Sequence, residues 1–219
     1  MEKRARVFTP SEILKIEQLL ECRGLVVELR DAWGTMLNSD HRLQIRRALA
    51  QYLADVDVAH PQISLEFPIW ASSLETLPAS PHHFISISHG YRLGGYALCD
   101  KSTAGSGLGS GLGFDLETLS RITPAIVERV SHPLEQDTAP DPRFLWSAKE
   151  ACFKASLGPQ QPVAITEIRT ENWISVSEYF HTFNASTLRH NLGRGILSSH
   201  PRNDEVFAFF LGIADPLLT

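Results

Sequence analysis

No apolar run in the 219-residue chain approaches the roughly 20 residues a membrane-spanning helix needs, and Met1-Glu2-Lys3-Arg4-Ala5-Arg6 is followed by no apolar signal core. A cytoplasmic protein with no membrane partner is therefore expected. Cysteine is scarce. Cys22, Cys99 and Cys152 lie far apart, form no Cys-x-x-Cys pair and are odd in number, which argues against a zinc ribbon or a disulfide framework and for reduced, buried thiols. The net charge of -5 is too mild to suggest a broad nucleic-acid surface, so an anionic partner must be met by a local patch. Lysine is missing between Lys15 and Lys101. The run Gly105-Ser106-Gly107-Leu108-Gly109-Ser110-Gly111 contains no Lys-Ser or Lys-Thr, which excludes a Walker phosphate loop. A strand follows it where a dinucleotide fingerprint needs a helix. Ser102 to Gly111 thus reads as a flexible linker between two halves.

The chemistry concentrates between Gly113 and Lys154. Gly113-Phe114-Asp115-Leu116-Glu117 alternates apolar and acidic residues, so on a strand Asp115 and Glu117 point to one face and need a cation. Trp146-Ser147-Ala148-Lys149-Glu150-Ala151-Cys152-Phe153-Lys154 reads as helix, with Glu150 and Lys154 one turn apart on one face. The plainer alternative for that pair is an exposed helix ion pair worth about 0.5 kcal/mol. An all-oxygen donor set suits magnesium, which takes part of its shell from substrate phosphates. The residues alone therefore suggest a metal-assisted phosphoryl-type transferase.

Together with Ser86-Ile87-Ser88-His89, these motifs resemble the Sfp-type 4'-phosphopantetheinyl transferases. The resemblance is carried by Gly-x-Asp-x-Glu, a later Trp-x-x-Lys-Glu-Ala-x-x-Lys and a preceding Ser-x-Ser-His, and it covers about Phe84 to Ala155. It implies an α+β fold of two similar, pseudo-twofold-related lobes, here 1-103 and 104-219, with the active site between them. It also implies transfer of phosphopantetheine from coenzyme A to a serine of an acyl or peptidyl carrier protein, with magnesium. By the same resemblance Asp115, Glu117 and Glu150 hold the metal, Glu150 accepts the serine proton, Lys154 neutralises phosphate charge, and Ser88 and His89 contact coenzyme phosphates. The chain departs from the family at Glu66-Phe67-Pro68, where members commonly carry Gly-Lys-Pro, so either another basic residue, Arg42 or Arg46, takes that role or coenzyme binding is weaker or differently arranged. A non-catalytic coenzyme- or carrier-binding homologue and a magnesium-dependent phosphohydrolase are the rival readings. With both lobes in one chain, a monomer is expected.

Along the chain, Thr9-Pro10-Ser11-Glu12 reads as a capped helix start, with Ile13, Ile16, Leu19 and Leu20 as its buried stripe and Gly24 as its stop. Leu25 to Leu29 reads as a short strand. Asn38-Ser39-Asp40 opens a second helix through Tyr52 or Leu53, with Leu43, Leu49 and Leu53 inside. Arg42 and Arg46 lie four apart on it: either a solvated face or, as guanidinium forks, a phosphate site. Ile63 to Glu66 reads as a strand. Phe84 to His89 and Gly94 to Cys99 read as a hairpin. Thr123-Pro124 caps a helix through Val130, and Asp141-Pro142 caps the long one that Leu157-Gly158-Pro159 ends, on which Lys149 points away from Lys154. Pro162 to Thr170, Trp173 to Val176 and Val206 to Ile213 read as strands, and Phe180 to Ser199 has no clear pattern.

Overall fold

The computed structural model describes residues 8–34, 40–56, 82–101, 108–156, 162–200 and 204–213. The first helix, α1 (Pro10–Leu20), begins where the sequence predicts: the Thr9 hydroxyl accepts the Glu12 N–H, and the Glu12 carboxylate accepts the Thr9 N–H at 2.6 Å. It ends before the predicted stop at Gly24: Glu21, in the left-handed region at φ 57°, closes it, its N–H bonding the Glu17 carbonyl. The strand β1 (Val26–Arg30) and a 3-10 turn (Asp31–Trp33) lead to α2 (His41–Val56). Ile45, Leu49 and Leu53 form the buried stripe of α2, whereas Leu43, predicted inside, lies off that stripe and is only half-buried. The predicted strand Ile63 to Glu66 and the departure at Glu66-Phe67-Pro68 lie outside the described residues.

The predicted hairpin forms as β2 (His83–His89) and β3 (Gly94–Asp100), which with β1 make an antiparallel sheet in the order β1-β3-β2. The linker expectation fails from Leu108 onward, because β4 spans Leu108–Thr118. Two short helices follow. The first, α3 (Pro124–Val130), carries the predicted Thr123 cap; the second, α4 (Pro133–Thr138), is capped by His132 and was not foreseen from the sequence. The long helix α5 (Phe144–Ala155) starts later than predicted. The Asp141 carboxylate accepts the Arg143 N–H at 2.9 Å in the preceding turn, and Arg143 itself holds the cap position without a side-chain bond.

Of the predicted strand Pro162 to Thr170, a 3-10 turn (Ile165–Glu167) takes the middle, and the strand β5 covers Arg169–Ser175. The unassigned Phe180 to Ser199 forms β6 (Phe180–Ser186) and most of β7 (Asn191–His200), and β8 (Glu205–Ile213) lies where predicted. These four join β4 in a second antiparallel sheet, β4-β8-β7-β6-β5. The protein is thus an α+β fold with two antiparallel sheets.

Side-chain alternation explains how the layers stack. On β3, Tyr96 and Leu98 pack against Ile45, Leu49 and Leu53 of α2, while Ala97 and Cys99 face the opposite way. On β8, Val206, Ala208 and Phe210 pack under Ala148, Ala151 and Cys152 of α5, and Phe207, Phe209 and Leu211 face the other side. Those inward faces meet in one core, joined by Phe114 and Leu116 of β4 and by Ile16 and Leu20 of α1. Each sheet therefore carries a helix outside and shares the centre. All three cysteines are free and buried, and Cys22 and Cys99, remote in sequence, come together in this core. Among the described residues, no helix is long and apolar enough to cross a membrane.

Glu205, at the start of β8, is 2% exposed, and its Oε2 has no hydrogen-bond partner. Burial pushes its carboxyl from 4.5 up to about 7, Arg92 pulling it down and Asp31 and Asp204 pushing it up. Between those values the folded protein keeps a proton that the unfolded chain has released. Stability from this group is therefore full below pH 4.5 and is lost as pH rises through 7. At about 1.4 kcal/mol per pH unit the loss reaches at most about 3 kcal/mol. Denaturant melts of wild type and Glu205→Gln across this range are expected to converge at low pH, with the variant the more stable near pH 8. Parallel pH profiles would refute a buried acid here.

Candidate functional site

Four elements deliver polar and charged side chains to one cleft of about 430 Å³. It is lined by Arg42 and Arg46 from α2, Ser88 and His89 from β2, Asp115 and Glu117 from β4, and Trp146, Glu150 and Lys154 from α5. The strand and helix periods place them as predicted: Phe114 and Leu116 enter the core while Asp115 and Glu117 face the cleft, and Glu150 and Lys154 share one helix face. All eight site residues proposed from the sequence thus line one cavity.

Their partners differ from the simple expectation. Lys154 joins Asp115, not its helix neighbour, with Nζ 2.6 Å from Oδ1. The ammonium also donates to Ser88 Oγ at 3.1 Å and to the Phe114 carbonyl at 3.2 Å, so its three donors are all engaged. Asp115 is 3% exposed, and its Oδ2 is buried without a hydrogen-bond partner. Burial and the Asp115 charge raise the Glu117 carboxyl to about 7, opposed by a hydrogen bond from Trp146 and by Lys154. The same two causes, burial first, raise Glu150, with Lys154 opposing. The site holds more negative charge than one ammonium offsets.

The facing wall is cationic. Arg42 Nε donates to His89 Nε2 at 2.9 Å, and the His41 ring meets His89 edge-on at 4.5 Å between centroids. Burial, then the charges of His41, Arg42 and Lys154, lower the His89 pKa to about 4, so the ring is a neutral acceptor at physiological pH. Burial and the neighbouring Arg42 also lower Arg46. Such a wall suits an anion.

A divalent cation fits the acidic side in donor chemistry: three carboxylates, one with an unpartnered buried oxygen, and no sulfur or nitrogen donor among them. Among the described residues, no three His, Cys, Asp or Glu side chains form a ready-made coordination shell, and Asp115 Oδ1 is engaged by Lys154 and Ser88. A cation would have to draw the acids together.

Lys149, five residues before Lys154, lies outside the cleft. It is fully buried, donating to the Val130 carbonyl at 2.8 Å and to Glu135 Oε2 at 2.9 Å, where Arg169 also bonds at 3.0 Å. Lys149→Met is expected to cost about 3 kcal/mol, since it breaks a buried pair and leaves Arg169 as the one remaining cation on Glu135. A melting temperature within 2 °C of wild type would refute this, given the few degrees per kcal/mol of a chain this size.

The His41-Arg42 pair, similar to a family position near the coenzyme, lies against His89, whereas sequence reasoning gave no role to Ser86 and did not place Trp146 in the cleft wall. Ser86 carried a signal, since it repeats Ser88 two positions earlier on a strand. No model of a known protein family matches the chain, and no curated protein matches it.

Proposed function

We propose that this protein transfers 4'-phosphopantetheine from coenzyme A to a serine hydroxyl of an acyl or peptidyl carrier protein. The observation that carries the reading is the pairing, in one cleft, of an arginine-rich wall with three carboxylates and a lysine. A pyrophosphate ester bound between them meets guanidinium on one side and, on the other, acids that can share a divalent cation with it. The Sfp-type motifs supply the same residues in the same order. On this reading the sheets with α2 and α5 outside them are the two pseudo-twofold-related lobes, supported by the matching alternation on β3 and β8.

Arg42 and Arg46 hold the phosphate groups, with His89 kept neutral and oriented by Arg42. Asp115, Glu117 and Glu150 would hold magnesium, whose charge would offset that of the pyrophosphate. Glu150, whose basicity is raised by burial, takes the proton from the carrier serine. The serine oxygen bonds to the β-phosphorus, and the bond from that phosphorus to the bridging oxygen breaks. The departing 3',5'-adenosine diphosphate takes the bond electrons, and Lys154 offsets that charge. Trp146 walls the cleft beside the acids.

The test is intact-mass spectrometry of apo carrier protein incubated with this protein, coenzyme A and magnesium, beside a chelator control. A gain of one phosphopantetheine, abolished by chelation, is expected. Lys149→Met should transfer at the wild-type rate per folded molecule. Coenzyme binding without transfer to several carriers would favour a binding protein, and phosphate release without a carrier would favour a hydrolase.

A further inference from the structure

The two sheets meet where neither offers a backbone ladder. Both β2 and β4 are terminal strands of their own sheets, and they exchange no ladder bonds. The outward N–H groups of an edge strand need acceptors. On β4 the Phe114 N–H finds Ser86 Oγ at 2.8 Å, and the Leu116 N–H finds Ser88 Oγ at 3.1 Å. Ser86 and Ser88 are two apart on one strand, as Phe114 and Leu116 are on the other, so each pair presents one face in matching register. Both serines are buried, at 3% and 4% exposure.

Ser88 carries a second load. A hydroxyl has one proton to donate and two lone pairs to accept with. Ser88 Oγ donates to Asp115 Oδ1 at 3.0 Å and accepts both the Leu116 N–H and the Lys154 ammonium. Every hydrogen-bond valence is filled within the protein, leaving none for a ligand phosphate.

We propose that Ser86 and Ser88 act as a side-chain clasp joining the two sheets, and that Ser88 is a positioning residue that fixes Asp115 against Lys154 rather than a contact to the coenzyme. Its effect on turnover rests on the proposed transfer reaction; the clasp itself does not.

The test uses full-length Ser86→Ala, Ser88→Ala and Ser88→Thr. Amide hydrogen exchange is followed by NMR, coenzyme A affinity by calorimetry and transfer by carrier mass. Removing one acceptor from a buried N–H should speed exchange about tenfold, at Phe114 for Ser86→Ala and at Leu116 for Ser88→Ala. Ser88→Ala should keep coenzyme A affinity within about twofold while turnover falls about tenfold or more, and Ser88→Thr, which keeps the hydroxyl, should recover part of it. Unchanged exchange at both amides would overturn the clasp, and a tenfold loss of coenzyme affinity with turnover intact would overturn the positioning role. If wild type transfers nothing, the proposed reaction fails, and the exchange data still decide the clasp. Should Ser88→Ala not fold, Ser86→Ala reads the clasp and Ser88→Thr reads the split between affinity and turnover.

Discussion

Gly113→Ala is expected to yield no stably folded protein. A Cβ built on Gly113 falls within the contact distance of the Ala151 carbonyl, with the Ala155 amide also too close. Neither side can yield cheaply. Ala148, Ala151 and Ala155 of α5 are fully buried on this face, and β4 is fixed on its far edge by pairing with β8. Shifting the helix would open the core around Phe210 and Leu145. A cost above about 4 kcal/mol is therefore expected, against a total stability of about 5 to 15 kcal/mol for ordinary domains. Gly24→Ala is the control: it strains a backbone at φ 66°, but its nearest neighbour would be the Asp100 side chain at 3.6 Å, so only about 1 kcal/mol should be lost. Soluble yield and thermal melting of the two variants check this. A Gly113→Ala protein melting like wild type would mean that α5 does not lie this close to β4.

Lys154→Met should separate two consequences of one missing charge. Asp115 stays buried beside raised Glu117 and Glu150 with its own cation gone, which costs about 2 kcal/mol. Full burial of the pair would cost more, but Lys154 is 28% exposed and partly screened by water. Transfer should fall about a thousandfold, as when a charged group on the reacting centre is removed. Adding Asp115→Asn should recover most of the stability and none of the transfer, because it removes the orphaned charge and also one of the acids proposed to hold the metal. Denaturant melts and carrier-mass assays of the single and double variants provide the check. Additive stability losses would show that the two side chains do not depend on each other, and a transfer-competent Lys154→Met would remove the lysine from the reaction.

Local signals in the sequence carried over well. The Thr9-Pro10-Ser11-Glu12 cap, the Phe84 to Cys99 hairpin and the facing of Asp115 and Glu117 each follow from spacing within a few residues, and the structure has them all. What failed was set by distant partners. Leu108 to Gly111 has the composition of a linker. Yet Gly111 and its neighbour Gly113 are small because α5 presses on them, with Ala155 and Ala151 where side chains would be. Glu150 and Lys154 have the spacing of a helix pair, but the ammonium reaches across to Asp115, 39 positions away. The bonds of Ser88 likewise join β2 to β4 and α5, a triangle no window of sequence contains.

The shared centre has a consequence for the chain as a piece of polymer. Ile16 and Leu20, from near the beginning, lie in one core with Phe180, Ile196 and Phe209, and Arg194 on β7 holds Glu21 at the end of α1. A backbone cut between Lys101 and Leu108 severs the only covalent path between the sheets but none of these contacts. The two fragments, made separately, should each expose half of an apolar interior and aggregate; mixed or co-expressed, they should reassemble by complementation. A cleft whose charged walls come from opposite fragments would then report reassembly directly, since Arg42 and His89 would arrive on one polypeptide and Asp115, Glu150 and Lys154 on the other.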